Sequence, residues 1–541
     1  TGNRLGVVGL AFELNELQLA VAVQVDGGIG LPQLGQDFAL HHAGFRRGGA
    51  DEDGAGVYDY GLHGFSGGLL VVEQEGDASF GEHVHQLLTG SNFRQVDDHE
   101  VRLFTDQHGG LLYLLFGGIR LNKRTRKRME RLTELQQETM GDGQAVLNAL
   151  PEGEDSIKVQ SRYITRASLF PPHQNTQTWY YPTGEALYAR MLTELEQAEH
   201  SIFLEYFIIH PGVMWDGILE ILERKAAQGV DVRVLYDDIG CLFTLPKHYA
   251  KTLQEKGIAC KVFNPFRPVI SLRLNNRDHR KICVIDGHTA FTGGVNLADE
   301  YINEIERFGH WKDGGICLRG AAVWNLSVMF LSTWNVDELE VEDFEQYRPN
   351  VYLPAPVPTD GLVQPFMDSP LDDEEVSATV FINLISRANR YLYLTTPYLI
   401  IDHAMNEALC SAAKAGVDVR IITPHIPDKR RVFELTRAHY EPLVKAGVKV
   451  YEYLPGFIHS KTLVCDDKLG MVGTINLDYR SLYLHFECGV WLCGTHSVAD
   501  IKRDFLDTQA QCDQVTLEEV QGQSWGKRFY RSLLRVFAPL L

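Results

Sequence analysis

Over most of the chain two hydrophobic patterns alternate. In "GILEILERKAAQG" the apolar residues recur at helical spacing, so Ile218, Leu219, Ile221 and Leu222 share one face and Gly229 ends the run. The residues that follow, "VDVRVLYD", switch to the period-two alternation of a strand. The same succession returns later: "AAKAGVDVRIITPH" (412–425) repeats "AAQGVDVRVLYDD" (226–238). Strand–helix–strand alternation of this kind predicts an α/β fold with mixed, largely parallel sheets covered by helices. The repetition predicts two duplicated domains, because equivalent positions keep their order. Their separation falls only from 187 (Gly229 and Gly416) to 180 (His279 and His459) and 174 (Asp313 and Glu487). The copies are expected at 161–345 and 366–541. The connection between them is placed at 346–365, on a stretch with four prolines between 346 and 361.

The first 110 residues do not follow either pattern. Residues 1–122 hold no Lys, Cys, Met or Trp and carry 16 acidic against 6 basic residues. We read 1–110 as an anomalous acidic, Gly-rich segment of unknown structure: a sequence error or a foreign segment in place of transmembrane helices, or else a genuine soluble extension. Ordinary texture begins at "LLYLLFGG", followed by Lys123, Arg124, Arg126, Lys127 and Arg128. That resembles the cytoplasmic end of a membrane helix, so 111–160 is expected to be a membrane-proximal remnant and basic linker. No run of 18 apolar residues exists from which a transmembrane helix could be read. At the other end, "SWGKRFYRSLLRVFAPLL" groups Phe529, Leu533, Val536, Phe537 and Leu540 on one helical side, with Lys527, Arg528, Arg531 and Arg535 bordering it and Trp525 at the entry. This is the pattern of an interfacial helix attracted to anionic lipid, or of a terminal helix packed on a core.

Charge and cysteine content narrow the classes. A formal net charge of −20 argues against non-specific nucleic-acid binding, which needs a basic field. Nine cysteines without a Cys-x-x-Cys pair, several inside apolar runs, read as reduced core residues rather than a zinc site.

The candidate chemistry lies in a polar constellation that occurs twice: His-x-Lys, four residues, Asp, six residues, Gly-[Gly/Thr]-x-Asn. It comprises His279, Lys281, Asp286 and Asn296 in the first copy and His459, Lys461, Asp466 and Asn476 in the second. One His-x-Lys pair flanking an apolar strand would be unremarkable. Two pairs at matched positions of a duplicated fold place two imidazoles, two ammonium groups and two amides around a pseudo-twofold axis. That inventory suits an anionic phosphoryl centre: one His attacks phosphorus, the other protonates the leaving oxygen, and Lys and Asn stabilise the equatorial oxygens. It requires no metal or cofactor. Asp313 and Glu487, 34 and 28 residues after their histidines, are the candidates to orient the rings. Asp286 and Asp466 are expected to brace the motif's own backbone or lysines.

The paired motif resembles that of the phospholipase D superfamily. "NNRDHRKICVIDGHTAFTGGVNLADEYI", "FIHSKTLVCDDKLGMVGTINLDYRSLYLHFE" and "HWKDGGICLRG" are similar to its bacterial cardiolipin synthase branch, a likeness extending over about 111–541. The Ser often found after the motif glycine is Gly294 in one copy and Thr474 in the other. The resemblance implies two phospholipase-D-like domains with the active site at their interface. It also implies transfer of a phosphatidyl group between two phosphatidylglycerol molecules, with His279 as nucleophile and His459 as general acid. Expected partners are phosphatidylglycerol and an anionic membrane surface, with no nucleic acid. The expected location is the bacterial cell membrane with the catalytic domains on its cytoplasmic side. The alternative is a phosphodiesterase of the same superfamily that hydrolyses phospholipid or nucleic acid.

Overall fold

The alternation read from the sequence builds one sheet twice. The computed structural model describes residues 133–538, apart from 135, 138, 142, 151–152, 266–275, 337, 339, 354, 356, 372–373 and 537. It also describes two short antiparallel strand pairs, Leu10–Glu13 with Gln18–Val21 and Gly56–Asp59 with Leu70–Glu73. The chain divides into two units near residue 110. The readings made for the rest of 1–110 and for 111–132 lie outside the described residues.

The first sheet contains β1 (Thr176–Tyr181), β2 (Ser201–Tyr206), β3 (Asp231–Asp237), β4 (Ala259–Phe263), β5 (Lys281–Ile285), β6 (Thr289–Gly293) and β7 (Gly315–Gly320), in the order β1-β7-β6-β5-β2-β3-β4. The second contains β8 (Leu362–Asp368), β9 (Tyr391–Thr395), β10 (Asp418–Pro424), β11 (Lys449–Tyr453), β12 (Thr462–Cys465), β13 (Leu469–Gly473) and β14 (Glu487–Cys493). Its order is β8-β14-β13-β12-β9-β10-β11, with β15 (Cys512–Gln514) added at the edge. Each of β8 to β14 stands where its counterpart seven strands earlier stands in the first sheet, and β15 has no counterpart there.

The α/β duplication and the mixed sheets are as expected, but the sheets are not largely parallel. Only β2–β3 and β3–β4, and their counterparts β9–β10 and β10–β11, are parallel. The strands that carry the motif, β5 and β6, are joined by the three residues 286–288 and pair antiparallel, as do β12 and β13. A connection that short closes only a hairpin, whereas the parallel pairs are joined through helices such as Val213–Ala227. That helix buries Ile218, Ile221 and Leu222, as its spacing predicts, and leaves Leu219 half-buried. The domain boundaries also shift. Position 161 falls inside the helix Asp155–Ser168, whose Ile157 and Ile164 enter the core of the second copy, and the connection ends where β8 begins at Leu362.

Each copy has its own core on the outer face of its sheet. A third core lies between the copies: Phe203, Ile282 and Val284 of the first and Tyr393, Val464 and Val490 of the second share it with the helix Val323–Asn335. This shared layer sets the two motif hairpins against each other.

Candidate active site

Two short inter-copy pairings decide which residues meet. The segment before β5 runs parallel to the one before β14, with Asp278 opposite Phe486; His279 N–H donates to the Phe486 carbonyl at 2.9 Å. In the mirror arrangement Lys312 lies opposite Ile458, and His459 N–H donates to the Lys312 carbonyl at 2.8 Å. Each histidine is thereby delivered to the carboxylate of the other copy. His279 Nδ1 lies 2.8 Å from Glu487 Oε1, and His459 Nδ1 lies 2.6 Å from Asp313 Oδ2. The orienting carboxylates are the two expected, but each serves the opposite repeat from the one its sequence distance suggested. In both pairs it is Nδ1 that faces the carboxylate, and at His459 the Lys461 ammonium also reaches Nδ1 at 2.8 Å, so Nε2 is the nitrogen left for chemistry.

Burial is nearly complete. His279 and His459 each keep 7% of their surface, Lys281 1% and Lys461 3%. Burial, then the charge of Lys281 and the neighbouring His485, holds His279 well below its ordinary pKa. Burial and Lys461 bring His459 down to about 4, although Asp313 pulls the other way. Burial lowers Lys281 to about 8 and Lys461 to about 7. The carboxylates differ. Burial would raise Asp313, but His459 and Lys461 outweigh it and hold the group below its usual range. At Glu487 burial wins over Lys281 and the Thr474 hydroxyl, and the group is pushed well up. The two half-sites are alike in shape, but their carboxylates are shifted in opposite directions.

The glycines of the motif make this geometry sterically attainable. A Cβ on Gly293 would lie 2.4 Å from Gly315 Cα, and one on Gly473 would lie 2.5 Å from the Cys488 carbonyl oxygen, so both strands end where backbone must approach backbone. A Cβ on Gly294 would meet Asp313 Oδ1 at 2.1 Å. At the equivalent place Thr474 donates its hydroxyl to Glu487 Oε2. The hydroxyl missing from the first copy is replaced by the Gly314 N–H, which donates to Asp313 Oδ1 at 2.8 Å.

Not every predicted residue joins the site. Asp286 and Asp466 brace neither the motif's backbone nor its lysines. Asp286 accepts the N–H groups of Glu199, His200 and Ser201 at 2.8–2.9 Å, at the entry to β2. Asp466 accepts those of Asn389, Arg390 and Tyr391 at 2.7–3.1 Å, at the entry to β9. Both stand at the far end of the motif strand in left-handed backbone, φ 48° and 57°, and are structural clamps. Asn296 is partly committed to structure: its Oδ1 accepts Ile208 N–H at 3.1 Å and its Nδ2 donates to Tyr301 Oη at 2.7 Å. Asn476 is buried with its Oδ1 unpaired.

Residues not anticipated complete the wall. Tyr301, Trp311 and Phe457 surround His459 with ring centroids 5.5–5.9 Å away, and Phe207 lies 5.0 Å from His279. His485 stands 5.6 Å from His279, ring to ring, its Nδ1 3.9 Å from Glu487 Oε1. It precedes Glu487 by two residues in extended chain and so points the same way, the i, i+2 relation already used for His279 and Lys281. His279, His485 and Glu487 offer ligand atoms within 4.8 Å of one another, a spacing that a metal ion could use. The charges of Lys281 and Lys461 acting on His279 make the spot better suited to an anion than to a cation.

Two buried, carboxylate-backed histidines with paired lysines, at the interface of duplicated sheets, define a phospholipase-D-type site. Residues 191–306 and 381–508 match the family model described as "Cardiolipin synthase, PLD-like domain". A cardiolipin synthase of Halalkalibacterium halodurans is 35% identical over 80% of this chain and 86% of its own length. An uncharacterized protein of Streptococcus mutans is 45% identical over 74% of this chain and 86% of its own. The crystal structure of a phosphatidylserine synthase from Haemophilus influenzae shares the fold at 16% identity, with a TM-score of 0.53 over 71% of this chain and 97% of that one. The chain belongs to the cardiolipin synthase family of phospholipase-D-like proteins and is a phosphatidyltransferase.

Proposed function

We propose that the protein makes cardiolipin and glycerol from two phosphatidylglycerol molecules through a phosphohistidine at His279, at the cytoplasmic face of the bacterial membrane. The crossed His–carboxylate pairs carry this reading. His279, neutral in the empty site, attacks phosphorus through Nε2. The P–O bond to the terminal glycerol breaks, and the departing oxygen takes the proton of His459. The hydroxyl of a second phosphatidylglycerol then gives its proton to His459 as its oxygen attacks phosphorus and releases His279. The difference between the carboxylates supports this division of labour. Asp313, held ionised, favours an imidazolium at His459, while Glu487, pushed up, does not favour one at His279.

The low pKa of His459 belongs to the empty site. A phosphodiester anion between Lys281 and Lys461 offsets the charge that depresses it and brings a proton to the general acid. The scant exposure of both histidines supports transfer over hydrolysis, because water has little access to the phosphoenzyme. The test is the product spectrum from phosphatidylglycerol vesicles. Cardiolipin and glycerol in equal amounts are expected. Phosphatidic acid as the main product would make the protein a hydrolase and overturn the reading.

A further inference from the structure

The helix Trp525–Val536 is docked by its charged side. Arg531 is 5% exposed, and its guanidinium lies 2.7 Å from Glu434 Oε2 on the helix Arg430–Ala438. Lys527 approaches the same carboxylate at 3.7 Å, and Arg528 approaches Glu441 at 3.9 Å. Leu534 and Ala538 supply a small apolar contact with Val432 and Leu435. The large apolar residues face the other way. Trp525, Phe529 and Leu533, spaced i, i+4, i+8, are 66%, 48% and 48% exposed, and the first two rings stack at 5.6 Å. A helix that buries arginine and presents Trp, Phe and Leu to water has reversed the arrangement that folding alone would select.

We infer that this stripe is a docking surface for an anionic phospholipid bilayer, an inference that rests on the lipid-transferring function proposed above. Three observations single out the membrane as occupant. The stripe is one ridge with Tyr530 beside it, suited to insertion at headgroup depth rather than to the two-sided burial of a protein interface. Arg528 and Arg535 are exposed on the same helix, where they can meet lipid phosphates. The helix it packs on leads to the site. That partner follows Lys429, whose ammonium lies over the Tyr398 ring at 5.8 Å; Tyr398 lies 6.3 Å from Phe457, and Phe457 is 5.9 Å from His459. The element on which the stripe's helix is docked is thus continuous, through Lys429, Tyr398 and Phe457, with the wall of the site. Among the described residues no helix is long and apolar enough to cross a membrane.

The test compares the full chain with the triple variant Trp525→Ala, Phe529→Ala, Leu533→Ala. Co-sedimentation with phosphatidylglycerol and with phosphatidylcholine vesicles is measured alongside melting temperature, oligomeric state and turnover of monomeric short-chain phosphatidylglycerol. The variant should bind phosphatidylglycerol vesicles roughly 10²-fold more weakly. It should keep its melting temperature and its turnover of the soluble substrate. Wild-type binding should favour phosphatidylglycerol and weaken as salt rises. Equal vesicle binding by both proteins would overturn the inference. So would a lowered melting temperature with loss on both substrates, since the stripe would then be packing surface. A shift from oligomer to monomer with vesicle binding intact would make it a subunit interface instead. A wild-type protein that binds vesicles but turns over no phosphatidylglycerol would count against the proposed reaction and leave the docking surface standing.

Discussion

His279 of the first repeat is held by Glu487 of the second, 208 positions away and 2.8 Å distant, and Asp313 returns the relation to His459. Neither copy completes a histidine–carboxylate pair by itself. The duplication therefore does more than supply two equivalent bases: each half of the chain completes the other, and the cores that join the copies are part of the chemistry. Arg280, between His279 and Lys281 of the motif, shows how firmly this is anchored. It is fully buried and bonds Asp278 at 2.8 Å and Thr333 of the inter-copy helix at 2.9 Å.

The clamping aspartates should govern stability rather than chemistry. Each accepts three backbone N–H groups, and an amide in its place turns a nitrogen toward donors it cannot satisfy. Asp286→Asn or Asp466→Asn should cost about 2–4 kcal/mol, given charge-assisted hydrogen bonds of about 1.5–3 kcal/mol each. Denaturant titration reads the loss. Turnover per folded molecule should stay near wild type.

Gly294 should tolerate no side chain. Its Cβ would fall 2.1 Å from Asp313 Oδ1, so Gly294→Ser must move the carboxylate away from His459. Steady-state assays should show a loss approaching that of Asp313→Asn. Gly526→Ser, where a Cβ meets nothing within 4 Å, should leave turnover unchanged.

Anion binding should take up protons. Lys461 at about 7 and Lys281 at about 8 are partly neutral in the empty enzyme at mildly alkaline pH, and a bound anion favours their charged forms. Affinity for tungstate, a phosphate mimic, should fall as pH rises through 7–8, and the proton that His459 takes up with the anion should strengthen binding further as pH falls from 7 toward 4. Calorimetry in buffers of different ionisation enthalpy should register net proton uptake at pH 8. The stability sign is fixed by the same shifts. Both lysines bind fewer protons folded than unfolded between their lowered values and about 10.4, so their burial costs most below pH 7, and that cost fades as pH rises.

Much of this was legible in the sequence, because spacing repeated twice is improbable by chance and periodicity reports burial. His279, Lys281, His459 and Lys461 are brought together as the repeat implied. Three things depended on long-range pairing and could not be read. The crossing of the carboxylates follows from the pairings of Asp278 with Phe486 and Lys312 with Ile458, which join segments of different copies. The clamp role of Asp286 and Asp466 depends on what β2 and β9 present to them. The orientation of the C-terminal helix depends on Glu434, 97 residues earlier, taking Arg531 inward. His485 carries a usable signal, its two-residue offset from Glu487, but it lies outside the repeated motif.

The most direct test of the crossed pairs is rescue by a leaving group that needs no protonation. Single-turnover release of nitrophenol from phosphatidyl-nitrophenol is compared with turnover of phosphatidylglycerol in four variants: His279→Asn, Glu487→Gln, His459→Asn and Asp313→Asn. Each carboxylate variant should lose on the order of 10²–10⁴-fold on phosphatidylglycerol, by analogy with triad carboxylates. If Asp313 serves the general acid and Glu487 the nucleophile, the nitrophenyl substrate restores release in His459→Asn and Asp313→Asn together. It leaves His279→Asn and Glu487→Gln impaired. Rescue of Glu487→Gln but not of Asp313→Asn would show that each carboxylate serves the histidine of its own repeat and would contradict the account.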